Sequence, residues 1–306
     1  MTLLGLLVAT AAAFAITERL KLVKSPVYGT LVSTWISPGC NCVNRKAAVS
    51  VKLRHADTVT VTIVDGRRYL VRTLAAGEFV PRGRAVFTWD GRNDLGGRMP
   101  DGVYRAEVHL ARQHRTILLP NPITLDTQPP KVLAASATRR TISPDGDHVH
   151  DSTAIRYELD SPGHALVFLG TQLLIRSRSL ATKGAVRWYG IVDDAPLKAG
   201  TYRLLVGAVD PAGNVTRPSA RKPVVIRIRY VELSPRTVVV GRPAVRFGIR
   251  VDTDAARYRW TLAGRSGVST RRVLVLRAPK KAGAYGLVVG EHGHTARAVV
   301  VVRSGR

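Results

Sequence analysis

The chain has 306 residues, 45% of them hydrophobic, which is enough for two or three domains that each bury a core and sets aside a disordered polyelectrolyte. Its 47 Lys and Arg against 21 Asp and Glu give a formal net charge of +26, so an anion or an anionic surface is the expected partner. Only ten of the 47 are Lys; attraction to a polyanion and the arginine bias of a GC-rich genome are the two explanations open for that excess.

Residues 1–24 read as a signal or membrane-anchor segment. Residues 1–16 carry no charged side chain and contain Ala13-Phe14-Ala15, an apolar run followed by a signal-peptidase pattern. The basic stretch that should precede the run is missing, and the run is short for a membrane span. Arg19, Lys21 and Lys24 follow it, which runs against the positive-inside rule for an anchored body. A start codon assigned too late explains both oddities. The expected location is therefore outside the cytoplasm, in the cell envelope, with a cleaved signal and a retained anchor both open.

Cys40 and Cys42 are the two cysteines. A local Cys40–Cys42 disulfide fits an exported chain, since such a ring persists only outside a reducing cytosol. A half metal site, a lipidated Cys and two free thiols are the alternatives.

Beyond residue 24 the chain reads as β throughout, in three modules: 25–126, 127–228 and 229–306. In the first, Ser37-Pro38 precedes the alternating strand Val49-Ser50-Val51-Lys52-Leu53; in the second, Ser143-Pro144 precedes Ile155-Arg156-Tyr157-Glu158-Leu159 in the same register. Each strand then meets a turn, Ala56-Asp57 or Ser161-Pro162-Gly163, and another apolar run, a pattern that predicts hairpins. A Trp followed by Gly-x-Tyr closes each module: Trp89 with Tyr104, Trp188 with Tyr202, and Trp260 with Tyr285. An inner-face Trp and a corner Tyr predict tandem immunoglobulin-like β-sandwiches, with all three Trp inside. The third module shares only the Trp and Gly-x-Tyr, and reads as a diverged relative or a different sandwich.

The stretch Phe87-Thr88-Trp89-Asp90-Gly91-Arg92-Asn93-Asp94-Leu95-Gly96-Gly97-Arg98-Met99-Pro100-Asp101-Gly102-Val103-Tyr104 resembles the FlgD-type immunoglobulin-like repeat, named for the flagellar hook-capping protein. Trp188-Tyr189-Gly190 and Ala199-Gly200-Thr201-Tyr202 repeat it in part. Asp126-Thr127-Gln128-Pro129-Pro130 and Val209-Asp210-Pro211-Ala212-Gly213-Asn214 resemble the linker and closing turn of bacterial surface repeats. The resemblance covers about residues 37–218 and implies a fold, not a flagellar role.

The loop after the second Ser-Pro, Asp145-Gly146-Asp147-His148-Val149-His150-Asp151, resembles the Asp/Gly loops of exported sandwiches. Calcium on Asp145, Asp147 and Asp151 is one reading; the other is a turn whose carboxylates cap backbone amides. His148 with His150, and His292 with His294, can place two imidazoles on one side of a strand, but a transition-metal site needs a third ligand that the sequence does not name. No other cofactor is expected.

Strand arginines alternate with apolar residues. Arg105 interleaves with Tyr104, Ala106 and Val108; Arg246 and Arg250 interleave with Val245, Phe247, Ile249 and Val251, and Arg259 is also expected to point outward. No zinc-finger spacing, basic heptad helix or aromatic RNA-binding signature is present, which argues against a specific nucleic-acid partner. Six Glu, no Gly-x-Ser-x-Gly, no His-Glu-x-x-His and no phosphate loop argue against an enzyme. The leading expectation is an exported, envelope-associated, noncatalytic structural or binding protein, held to anionic wall polymer or lipid by its Arg-rich surface, with a protein partner also open. The alternative is an accessory or targeting subunit of a secreted enzyme.

Overall fold

Runs of Val, Ile, Thr and Tyr alternating with polar residues have the period of a sheet with one dry face. The computed structural model describes residues 5, 6, 9–11, 13, 14 and 25–304. The body is all β, broken by two single-turn 3₁₀ segments, Val43–Arg45 and Pro218–Ala220. The expected apolar helix over residues 1–24 falls largely outside the described residues, and among those described no helix is long and apolar enough to cross a membrane.

The chain divides into two compact units, Met1–Gln128 with Pro211–Asn214, and Pro129–Asp210 with Val215–Arg306. The first unit holds one apolar core around Trp89, Val61 and Leu110. The second holds two, one around Ile155, Trp188 and Leu204 and the other around Ile249, Leu262 and Leu287. The second and third cores lie within one compact unit.

The three cores are built alike. Around the first, Val27–Val32, Ala47–Leu53 and Gly83–Trp89 form one antiparallel sheet. The facing sheet runs Trp35–Ile36, Ile123–Leu125, Gly102–Leu110, Asp57–Val64 and Leu70–Val80, its first pair parallel. The same order recurs around the second core, where Thr141–Ile142 pairs in parallel with Lys222–Ile228. It recurs again around the third, where Thr237–Val240 runs parallel to His294–Val302. The third module is thus a true repeat in topology.

Three expectations are corrected here. The predicted hairpins do not form: Ala47–Leu53 and Asp57–Val64 lie in different sheets. In the second module the chain runs straight on as one strand, Thr153–Leu169, whose first half pairs with Ala181–Trp188 and whose second half pairs with Gly200–Val209. Both runs present a buried face, and crossing between sheets lets those faces meet across a core. Second, Trp260 is not the equivalent of Trp89 and Trp188. Those two end the third strand of the smaller sheet and are fully buried, whereas Trp260 lies in Tyr258–Leu262 of the larger sheet and is half-buried, its ring over Gly267 on the neighbouring strand. Third, Val245 is exposed, because the strand begins at Arg246.

The Gly-x-Tyr motif does repeat three times. Tyr104, Tyr202 and Tyr285 each donate a phenolic hydrogen bond to the carbonyl four residues earlier, on Pro100, Lys198 and Lys281, at 2.7, 2.9 and 3.0 Å. Each bond fixes the corner entering a core strand.

Two other motifs turn out to be partners in space. Gly91 and Gly190, two residues after their Trp, have φ of +77° and +68°, and a Cβ on either would lie 2.6 or 2.9 Å from the ring of Pro38 or Pro144. The same Cβ would also crowd the last strand, at Leu125 or at Ile228. Glycine is required twice over, for the left-handed backbone and for the room. Gly96, in the same turn as Gly91, has φ +78° but open space around it. Gly96→Ala should therefore cost about 1–2 kcal/mol for the left-handed conformation alone, and Gly91→Ala a further ~1–3 kcal/mol of overpacking. Urea unfolding of the two variants checks this, and equal losses would show the proline contact to be immaterial.

Candidate functional site

Pro144 is held by Gly190, so the acidic loop that follows starts from a fixed point. The carboxylates of that loop fold it. Asp145 accepts from the Asp147 amide at 3.2 Å, Asp147 from the Val149 amide at 2.7 Å, and Asp151 from the amides of Gly146 and His148 at 3.2 and 2.9 Å. His148 and His150 sit at positive φ in this loop. They are not on a strand, which corrects the expectation of two imidazoles on one strand side. Oxygens of Asp145, Asp147 and Asp151 do converge within 4.8 Å, although amide capping already occupies part of each carboxylate.

The third core sends a second element to the same place. In Gly283–Glu291 the residues Leu287, Val289 and Glu291 are buried in strict alternation, so the final inward position is an acid. Glu291 pairs with His294 across a two-residue turn, His292-Gly293, with φ of 38° and 86°, the left-handed pair that a tight hairpin needs. His292 and His294 therefore diverge: the His294 ring stacks on Tyr230 at 3.5 Å between centroids, while His292 Nδ1 lies 3.0 Å from Glu291 Oε2 and 3.5 Å from Asp145 Oδ2. Nearby, Asp254 Oδ2 lies 3.5 Å from His150 Nδ1.

The cluster is dry. The side chains of Asp145, Glu291 and Asp254 are 0, 1 and 8% exposed, and Glu291 Oε1 and Asp254 Oδ1 have no hydrogen-bond partner. Burial pushes the Glu291 carboxyl up to about 7, reinforced by its hydrogen bond to Asp145 and by the charge there, and opposed by His292. Burial works on Asp145 in the same direction, but the Asp147 amide, the hydrogen bond with Glu291 and the adjacent His292 outweigh it and hold Asp145 low. Burial raises Asp254, against a hydrogen bond from Ser143 and with the charges of Asp145 and Asp147. For His292 burial is outweighed by Asp145 and Glu291, which raise it; His294 is lowered by burial.

Elsewhere, Cys40 and Cys42 are bonded to each other. In the same unit Ser37 Oγ donates to Asn214 Oδ1 at 2.5 Å, and Asn44 donates to the carbonyls of Pro211 and Ala212. Trp89 Nε1 donates to the Arg92 carbonyl at 2.8 Å, whereas Trp188 Nε1 is buried without a partner. Glu291 and Asp254 were not singled out from sequence. Glu291 had a readable signal, an acid in the inward register of a Val-rich strand; Asp254 lies in a bend and had none.

Residues 40–113 match the family model of the FlgD Ig-like domain. No match is found among curated proteins. Among solved structures, an I-band fragment of titin is 12% identical, the match covering 93% of this chain and 100% of the fragment with a TM-score of 0.33. The fibronectin(III)-like modules of Clostridium thermocellum CbhA are 13% identical over 66% of this chain and 94% of theirs, with a TM-score of 0.34. SGBP-B of Bacteroides ovatus, solved with a mixed-linkage heptasaccharide, is 14% identical over 92% of this chain and 69% of its own, with a TM-score of 0.22. These likenesses carry no argument about function.

Asp151 supplies the acceptors for two amides of the acidic loop. Asp151→Ala should speed hydrogen exchange at Gly146 and His148 and cost about 1–2 kcal/mol, while core amides near Ile155 stay protected. Unchanged exchange at those two amides would show the loop to be held by other contacts.

Proposed function

We propose that the chain is an exported, envelope-associated, noncatalytic binding and spacer protein whose immunoglobulin-like modules hold an arginine-rich surface against anionic wall polymer or lipid headgroups. The observation that carries this reading is the pairing of like charges on the outer faces of the sheets. Arg246 stands directly opposite Arg277, and Lys52 opposite Arg84, arrangements that cost stability in a sheet. Arg105, Arg246, Arg250 and Arg259 are all exposed, on strands whose alternate residues are buried. Among the described residues, four basic side chains, Arg72, Lys183, Arg227 and Arg229, are in ion pairs with carboxylates. Arg105, Arg246, Arg250 and Arg259 are in none of these ion pairs, which leaves them to an external anion. The Cys40–Cys42 bond and the apolar start of the chain support an oxidising, exported setting.

The test is a salt series with two anionic targets, purified wall polymer and acidic vesicles, using the parent and a variant with Arg105, Arg246 and Arg250 changed to Glu. Arg259 lines the same groove as Glu291 and His292 and is left unchanged. The parent should bind at low salt and release as screening shortens to about 8 Å near physiological ionic strength; the folded triple variant should bind weakly throughout. Preference for one target identifies the source of the anion. Equal binding by parent and variant across the series would end the polyanion reading and leave codon bias as the origin of the arginine.

A further inference from the structure

We propose that Asp145, Glu291 and His292 form a mixed oxygen–nitrogen site for a divalent cation of the zinc class, built by the acidic loop of the second module and the closing hairpin of the third. The three donor groups lie within 4.8 Å of one another. Zinc bonds of about 2.1 Å in a tetrahedron place neighbouring donors roughly 3.4 Å apart, and the distances from His292 Nδ1 to Glu291 Oε2 and Asp145 Oδ2, 3.0 and 3.5 Å, bracket that edge. The arrangement needs little closing to accept an ion.

A second observation points to a ligand. Glu291 is buried, its carboxylate stands in the cluster, and its Oε1 has no partner. A buried polar atom left unpaired carries the full desolvation penalty, and two adjacent buried carboxylates with a single imidazole beside them leave negative charge uncompensated. A divalent ion held by both Glu291 oxygens gives Oε1 a partner and supplies the missing counter-charge. The chain is strongly basic, but screening confines its field to about 8 Å, and within the cluster the acids Asp145, Asp147, Asp151, Asp254 and Glu291 prevail.

The donor set selects the ion. Calcium takes six to eight oxygens, whereas Asp147 and Asp151 have oxygens committed to the amides of Val149, Gly146 and His148. A neutral imidazole with two carboxylates suits zinc and its neighbours. The alternative is a proton held between Asp145 and Glu291, which needs no metal. The site does not depend on the polyanion reading.

The experiment uses the untagged full chain, stripped with a chelator and titrated with zinc chloride by calorimetry, with thermal unfolding measured in parallel. One tight equivalent is expected, with a raised Tm. Glu291→Gln, Asp145→Asn and His292→Asn should each weaken it more than about 100-fold, beyond the range typical of outer-shell changes, while exposed His55→Ala leaves it intact. His292→Asn is the decisive variant, because Asn-Gly is a favoured tight turn and the fold should survive without metal. Cobalt in place of zinc should give the visible absorption of a four-coordinate ion in the parent and lose it in His292→Asn. No tight equivalent in the parent overturns the proposal in favour of the shared proton. Zinc binding unchanged in Glu291→Gln and His292→Asn overturns it too, as does calcium bound in preference to zinc and lost only in Asp151→Ala.

Discussion

A proline ring seated against a left-handed glycine organises the first two sandwiches. Pro38 meets Gly91 and Pro144 meets Gly190, in each case beside the end of the last strand. The contact joins the short parallel strand before the proline to the turn after the buried Trp, and so closes the open end of the core. Neither half can vary alone. Any side chain at the glycine strikes the ring, and moving the ring pulls the parallel strand from its partner. In the second module the same contact sets where the acidic loop begins, so the position of Asp145 follows from a packing constraint made some forty-five residues later in the chain.

The electrostatics divide sharply between surface and interior. Cations cover the outer strand faces, opposite one another in places where pairing offers no relief. The acids gather where water is excluded, around Asp145, Glu291 and Asp254. Burying carboxylates is costly without a hydrogen bond or a counter-charge, and the cluster meets that cost only in part. The Asp145 and Asp151 carboxylates are satisfied largely by loop amides, while one oxygen on each of Glu291 and Asp254 is left over.

The modules differ in how they finish the shared plan. Trp89 finds the Arg92 carbonyl in a turn where Asp90 accepts from the Arg92 amide, but Trp188 finds nothing, and Tyr189 stands where the first module has Asp90. In the third module the aromatic moves to the other sheet and covers Gly267. The tyrosine corner is the feature that survives unchanged in all three, since one phenol and one carbonyl four residues apart suffice to make it.

The local periodicities were legible in the sequence. Period-two alternation placed Arg105, Arg246 and Arg250 outward and Phe247, Ile249 and Val251 inward, Gly-x-Tyr marked three corners, and the stretch from Phe87 to Tyr104 carried the FlgD-type signature. Each of these signals lies within one strand or one turn, where neighbouring residues decide the outcome. Whether the chain reverses or passes to the opposite sheet was not legible, because Ala56-Asp57 and Ser161-Pro162-Gly163 are turn-forming residue types that in the structure join or continue strands of opposite sheets, and only the facing core selects the crossover. Trp260 reads in the sequence as the counterpart of Trp89 and Trp188, and its place in the other sheet became clear only from the pairing. The meeting of Asp145 with Glu291 and His292 belongs wholly to tertiary structure: the loop and the hairpin are nearly 150 residues apart in sequence, and what joins them is the packing of two cores in one unit, for which no local pattern codes.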